Sequence, residues 1–221
     1  MARILFVIIF IIVGVSVTYY FLQPREEKLP VINPIDLEKE MVEEDLLRVG
    51  YGHTIGDFTF LDQNGKPFSR KDVKGKVFVA EYFFTTCGTI CPKMNAQMQR
   101  VQNVFKGNEN VEILSFTVNP EVDTVAQMKN YAEGHGADAE QWHFLTGKKE
   151  ELYTLARRSF FVLKPAEAQN LGDAGSDFIH TNNFVLVDKK GRIRGYYDGT
   201  SEKEVGVLLT DIQRLLDEKE H

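Results

Sequence analysis

From Ile4 to Leu22 the chain reads ILFVIIFIIVGVSVTYYFL, with no charged position. Wound into an α-helix, those 19 residues extend about 28 Å, close to the roughly 30 Å of a bilayer core. The pattern predicts one N-terminal transmembrane helix over residues 1–22. A cleaved signal peptide is the competing reading, but its apolar stretch covers only about 7–15 residues. Here apolar residues continue past the small-residue run Gly14-Val15-Ser16 to Tyr19-Tyr20, an aromatic pair suited to the membrane interface. Arg3 favours the N-terminus inside and the rest of the chain outside the cytoplasm, although Arg25 and Lys28 follow the other end.

Polar positions take over in residues 23–50. Pro24, Pro30 and Pro34 precede the acidic run LEKEMVEEDLLR, and Leu37, Met41 and Leu47 would share one side of a short helix over Asp36–Leu47. The segment reads as an acidic, solvated tether. In residues 51–221 the strand and helix periods are those of one domain. Lys76–Phe84 (KVFVAEYFF) and Val111–Val118 (VEILSFTV) are almost continuous apolar runs, as expected of strands buried on both faces. Asp57–Leu61 opens a hairpin through a QNGK turn, Trp142–Leu145 is a short strand, and Phe184–Val187 and Ile193–Tyr197 flank the DKKGR turn as a second hairpin. Helices are expected at Cys91–Phe105 with Pro92 in the first turn, from an Asp123-Thr124 cap toward Tyr131, at Lys149–Phe160, and at Glu202–Leu216. Parallel crossovers followed by an antiparallel pair predict an α/β fold, a thioredoxin-like mixed sheet flanked by helices. Between Phe161 and Asn183 no period appears, and an irregular stretch of that length is functional or disordered.

Charge and composition narrow the function. A net charge of -6 over 221 residues argues against nucleic acid as a partner, and 43% hydrophobic residues argue against wholesale disorder. The tether holds four basic and eight acidic residues, so most of that charge says little about the domain and also speaks against anionic-lipid binding by the tether. Only two cysteines occur, Cys87 and Cys91, which excludes a disulfide scaffold and a four-thiolate zinc site within one chain.

Both cysteines lie in TTCGTICP, after the first buried strand and at the start of the next helix. Ligands bind at that edge of a parallel sheet, and the positive end of a helix favours a thiolate. Two sulfurs at this spacing can close a disulfide or chelate one ion. As soft ligands they select Cu(I), zinc or iron, and a third donor completes a trigonal site. His180, shortly before the strand FVLVD, is the leading candidate for that donor. Met94 and Met98 are expected to pack in the core, and His53, His135, His143 and His221 to be structural or surface residues. Asp177 is a candidate to orient His180, with a solvated loop carboxylate as its plainer reading.

TTCGTICP, SFTVNPEVDT and FIHTNNFVLVDKKGRI, in that order, resemble the Sco/SenC family of membrane-anchored, thioredoxin-fold copper proteins, and the likeness runs from about Tyr51 to Leu216. The resemblance implies one copper held by Cys87, Cys91 and His180. It implies an assembly role, in which copper is delivered to, or cysteines are reduced at, the dinuclear copper site of cytochrome c oxidase subunit II or another extracytoplasmic copper or cysteine protein. The family's Asp-Pro-x-x-Asp segment reads Asn119-Pro120-Glu121-Val122-Asp123 here, so its first carboxylate is an amide. A thiol–disulfide oxidoreductase using Cys87 and Cys91 as a redox pair is the alternative, although CxxxC departs from the CxxC of most thioredoxin-like catalysts. A peroxidase is disfavoured because a Thr-x-x-Cys element is absent, and a catalytic zinc enzyme because no general base stands out.

Overall fold

The computed structural model describes residues 2–22, 28–48, 50–162 and 182–218. His180, Asp177 and His221, with most of the stretch expected to be irregular, lie outside them. Ala2–Leu22 form helix α1. The side chains at positions 2, 5, 7, 8 and 20–22 also lie outside the description, and among the described residues no helix is long and apolar enough to cross a membrane.

The two apolar runs become adjacent parallel strands, β3 (Val77–Phe83) and β4 (Val111–Thr117), every residue of which is buried. Before them Thr59–Leu61 (β1) and Pro67–Ser69 (β2) form the expected hairpin, with Phe60 opposite Phe68 and Gly65 at φ 74° in its turn. That φ suits a residue without a Cβ. Strand β5 (Trp142–Leu145) adds in parallel to β4, while β6 (Asn183–Val187) and β7 (Ile193–Asp198) extend the other side antiparallel. The sheet order is β5-β4-β3-β6-β7.

Apolar clusters fill both faces. On one, Phe58, Phe60, Tyr82, Phe116 and Phe160 pack with Leu152 and Ala156 of helix α5 (Lys149–Arg158). On the other, α3 (Cys91–Val104), α4 (Val125–Gly134) and α6 (Glu202–Asp217) contribute Met94, Met98, Met128, Leu208 and Ile212. The two methionines are thus core residues, as their spacing predicts. Helix α4 starts where Thr124 accepts a hydrogen bond from the Gln127 N–H, and it runs three residues beyond Tyr131.

The tether departs from expectation. Instead of a solvated helix over Asp36–Leu47, the chain makes two single 3-10 turns, Pro34–Asp36 and Lys39–Met41, and a four-residue helix, α2 (Glu44–Leu47). Its apolar residues do not share a free face. Val42 is buried, and Leu37, Met41, Leu46 and Leu47 pack on the α5 side of the core. Ile32 pairs with Ile193 at the start of β7, its N–H 2.9 Å from the Ile193 carbonyl. Arg158 binds Glu43 and Asp45.

A buried cation secures this attachment. The Arg194 side chain, 1% exposed, donates to the carbonyls of Leu29 (2.6 Å) and Pro30 (3.0 Å) and to the carboxylates of Asp188 and Glu218 (2.9 Å each). Removing one member of a buried ionic cluster leaves the others unpaired in a low-dielectric interior, which costs about 3–5 kcal/mol. Arg194→Ala is therefore expected to lower unfolding free energy by about 3 kcal/mol or more in chemical denaturation, and to raise hydrogen exchange at Ile32.

Candidate functional site

Strand β3 ends at Phe83 and α3 begins at Cys91, with Pro92 in its first turn where a missing N–H is harmless. Between them the chain turns at once: the Cys87 N–H bonds back to the Phe84 carbonyl at 3.2 Å. Cys87 thus sits on the loop and Cys91 on the helix, and the fold brings the two thiols together. Both are free, Cys87 half-buried and Cys91 only 3% exposed.

The pair is strongly unequal. Burial raises the Cys87 thiol, but hydrogen bonds from the Cys91 thiol, the Thr89 and Cys91 N–H groups and the Thr89 hydroxyl outweigh it and bring the group down to about 7. The Thr89 oxygen stands 3.7 Å from the Cys87 sulfur. Cys91 moves the opposite way, pushed up by burial first, then by donating its proton to Cys87 and by the nearby Glu81. Cys87 is therefore the sulfur that ionises first, its charge stabilised by the buried Cys91 thiol, and the unpaired N–H groups of the helix start favour that charge.

Glu81 is a feature the sequence reading passed over. It alternates with Val79 and Phe83 on the α3 side of β3, is 1% exposed, and accepts from the Ser115 hydroxyl at 2.6 Å. Ser115 in turn accepts from the Trp142 indole N–H at 2.8 Å, while the second Glu81 oxygen has no partner. Burial raises this carboxyl to about 7, against the opposing Ser115 hydrogen bond. The signal was present as the lone charge in the strand Val77–Phe83, since a carboxylate in a strand buried on both faces needs a reason.

The remaining candidates separate clearly. His53 bonds the Ser159 carbonyl (2.9 Å), His135 the Tyr131 carbonyl (2.8 Å) and His143 the Glu112 carboxylate (3.1 Å), so all three serve the fold. Asp123 is fully buried and accepts hydrogen bonds from Thr85 and Thr117, tying the cysteine loop to the segment after β4. Among the described residues no three His, Cys, Asp or Glu side chains converge as a metal site. Two sulfurs are what the described part of the chain offers a metal, and their softness and adjacency fit Cu(I).

The fold and this site define a thioredoxin-like dithiol protein, with its cysteines at the carboxyl end of the central strand. More particularly, the SCO1/SenC family pattern matches residues 50–217, and the chain belongs to that family. It is 34% identical over 164 residues to the SCO1 protein homolog of Bacillus subtilis, covering 73% of this chain and 82% of that protein. The structure of BsSco, described as a member of the Sco family of cytochrome c oxidase assembly proteins with a disulfide switch, is 32% identical with a TM-score of 0.64, covering 76% of this chain and 95% of that one. Copper-bound ScoI of Bradyrhizobium japonicum is 25% identical with a TM-score of 0.58, covering 74% and 99%.

Two titrations test the electrostatics. In the reduced protein, Cys87 alkylation followed by mass spectrometry is expected to rise through an inflection near pH 7, with Cys91 unreactive over the same range. Glu81 binds its proton more tightly in the native state, at about 7 against a usual 4.5, so the native state carries more protons between those values and stability falls as pH rises through them. Glu81→Gln is expected to lack that part of the fall when unfolding free energies are compared across pH 4.5 to 7.

Proposed function

We propose that this protein is a copper-binding assembly factor for cytochrome c oxidase. It takes one copper on Cys87, Cys91 and His180, and it delivers copper to, or reduces the cysteines of, the dinuclear copper site of subunit II. The observation that carries the reading is the unequal, hydrogen-bonded thiol pair at the start of α3 in an SCO1/SenC chain. Copper here is cargo. Cys87 meets it first, being the more exposed and the readily ionised sulfur, and Cys91 follows by giving up its proton. His180 supplies the imidazole that completes a trigonal donor set. A Cys87–Cys91 disulfide has no thiolate to offer, so loading follows the redox state of the pair.

The domain is held at a membrane by residues 1–22 as a single span with the N-terminus inside, residues 51–221 standing outside the cytoplasm. The uncharged sequence run Ile4–Leu22 supports this. Residues 23–50 then connect span and domain, and most of that connector is folded onto the domain from Leu29 onward.

The same inequality supports thiol–disulfide exchange as a second reading. The Cys87 thiolate would attack a partner disulfide and form a mixed disulfide, releasing one partner thiolate. Cys91 would then lose its proton and attack the Cys87 sulfur, leaving a Cys87–Cys91 disulfide and a fully reduced partner.

Anaerobic titration of the reduced protein with Cu(I), read by X-ray absorption, is expected to give one copper with two sulfurs and one imidazole. Cys87→Ser and Cys91→Ser should abolish stoichiometric binding, and His180→Ala should weaken it strongly. Undiminished binding by all three variants would falsify the copper assignment. A His180→Ala variant that loses copper but keeps full biological activity would favour the exchange reading.

A further inference from the structure

Asp123 sits between β4 and α4, far from the cysteines in sequence, with no exposed surface. One carboxylate oxygen accepts from the Thr85 N–H at 3.2 Å and from the Thr85 hydroxyl; the other accepts from the Thr117 hydroxyl and lies 3.3 Å from the same Thr85 N–H. Its own backbone is held as well, since the Thr146 hydroxyl donates to the Asp123 carbonyl at 2.9 Å. Thr117 is the last residue of β4, and Thr146 directly follows β5. The carboxylate is therefore fixed to the sheet on one side and grips the cysteine loop on the other. A buried carboxylate satisfied by several donors is costly to displace, because any donor it loses leaves charge unpaired away from water.

Thr85 is two residues past the end of β3 and lies inside the turn that Cys87 closes onto Phe84. The loop from Phe84 to Ile90 has no ladder of its own. Its position is set by β3 behind it, α3 ahead of it and the hold on Thr85 at its side, where Asp123 makes the short bonds and the Gln127 amide of α4 donates to the Thr85 hydroxyl at 3.4 Å. We propose that Asp123 is a positioning residue for the thiol pair: by holding Thr85 against the sheet, it sets where Cys87 stands relative to Cys91. This deepens the reading of the pair as a redox-gated copper site and rests on that reading for the use made of the pair, but the geometry involves only Asp123, Thr85 and the two thiols. It also gives the Asn119-to-Asp123 segment a definite division of labour. The acidic position retained in this chain is the one that bears on the loop, while Asn119 enters the network through its backbone N–H, 2.9 Å from the Thr117 hydroxyl.

The consequence is an effective concentration. Two groups held in place react with each other more readily than the same groups on a loose loop, because less freedom is lost on bonding. Closing the disulfide removes one proton and one electron from each thiol; oxidised dithiothreitol takes up both and is released as the dithiol. The equilibrium constant of that exchange, measured on the metal-free full-length protein in dithiothreitol redox buffers, reads the geometry directly. Asp123→Asn places an amide N–H₂ where donors already point. It is expected to lower the constant about tenfold, a rise in reduction potential of about 30 mV. Thr85→Val, which removes the hydroxyl but keeps the backbone bond, should move it the same way, and Thr85→Ser should restore the native value. A folded Asp123→Asn protein with a native constant overturns the proposal, even with a lowered melting temperature. If Asp123→Asn does not fold, a native constant in Thr85→Val overturns it instead. Because no metal is present, failure here is distinct from failure of the copper assignment.

Discussion

A strand buried along its whole length, paired in parallel on one side and antiparallel on the other, leaves its chain no freedom until it passes the sheet edge. For β3 that point is Phe83, four residues before the first cysteine. Burial of Val77 to Phe83 makes the edge rigid, and a helix starting at Cys91 closes the gap after one short loop. The sulfurs therefore meet within a few residues of the least deformable part of the molecule. Their chemistry depends on this: a thiol becomes a good thiolate at neutral pH only when hydrogen bonds to its charge persist, and here those donors are backbone groups at a helix start and a second, buried thiol.

The same rigidity explains why the two sulfurs differ. Cys91 is on the inner side of its helix, among Met94, Met98 and Phe83, so its charge is opposed by burial and by Glu81. Cys87 lies on the loop and keeps contact with water. One site thus contains a more exposed, readily ionised sulfur and a protected partner. Asp123 ties this loop to β4, and the chain Trp142–Ser115–Glu81 carries a polar thread from β5 to the underside of the site. Both arrangements use the parallel strands as a frame on which loop positions can be referenced.

The tether shows how far composition can mislead. Its acidity and prolines describe a solvated spacer with a short helix over Asp36–Leu47. Val42, Leu37 and Met41 nevertheless find apolar surface, because the domain leaves a face beside α5 that its own elements do not cover. Arg194, an ordinary strand residue by sequence, completes the attachment through two backbone carbonyls of Leu29 and Pro30. Carbonyl partners leave no trace in residue type, so no reading of side chains alone identifies them.

Local patterns were enough for most of the architecture. The buried runs, the two hairpin turns with Gly65 and Gly191 at positive φ, the Thr124 cap and the stripe of α6 are encoded in neighbouring residues, and the elements fall within a few residues of the expected bounds. The Cys87–Cys91 pair was also legible, since four-residue spacing at a strand-to-helix junction is a local property. What required the tertiary structure was everything set by packing between distant segments. Those features are the unequal acidities of the two thiols, the buried Glu81, the grip of Asp123 on Thr85 and the docking of the tether through Arg194. The reason is physical. Periodicity and turn chemistry act over a few residues, whereas burial and hydrogen-bond partnership are decided by which segments the sheet brings together.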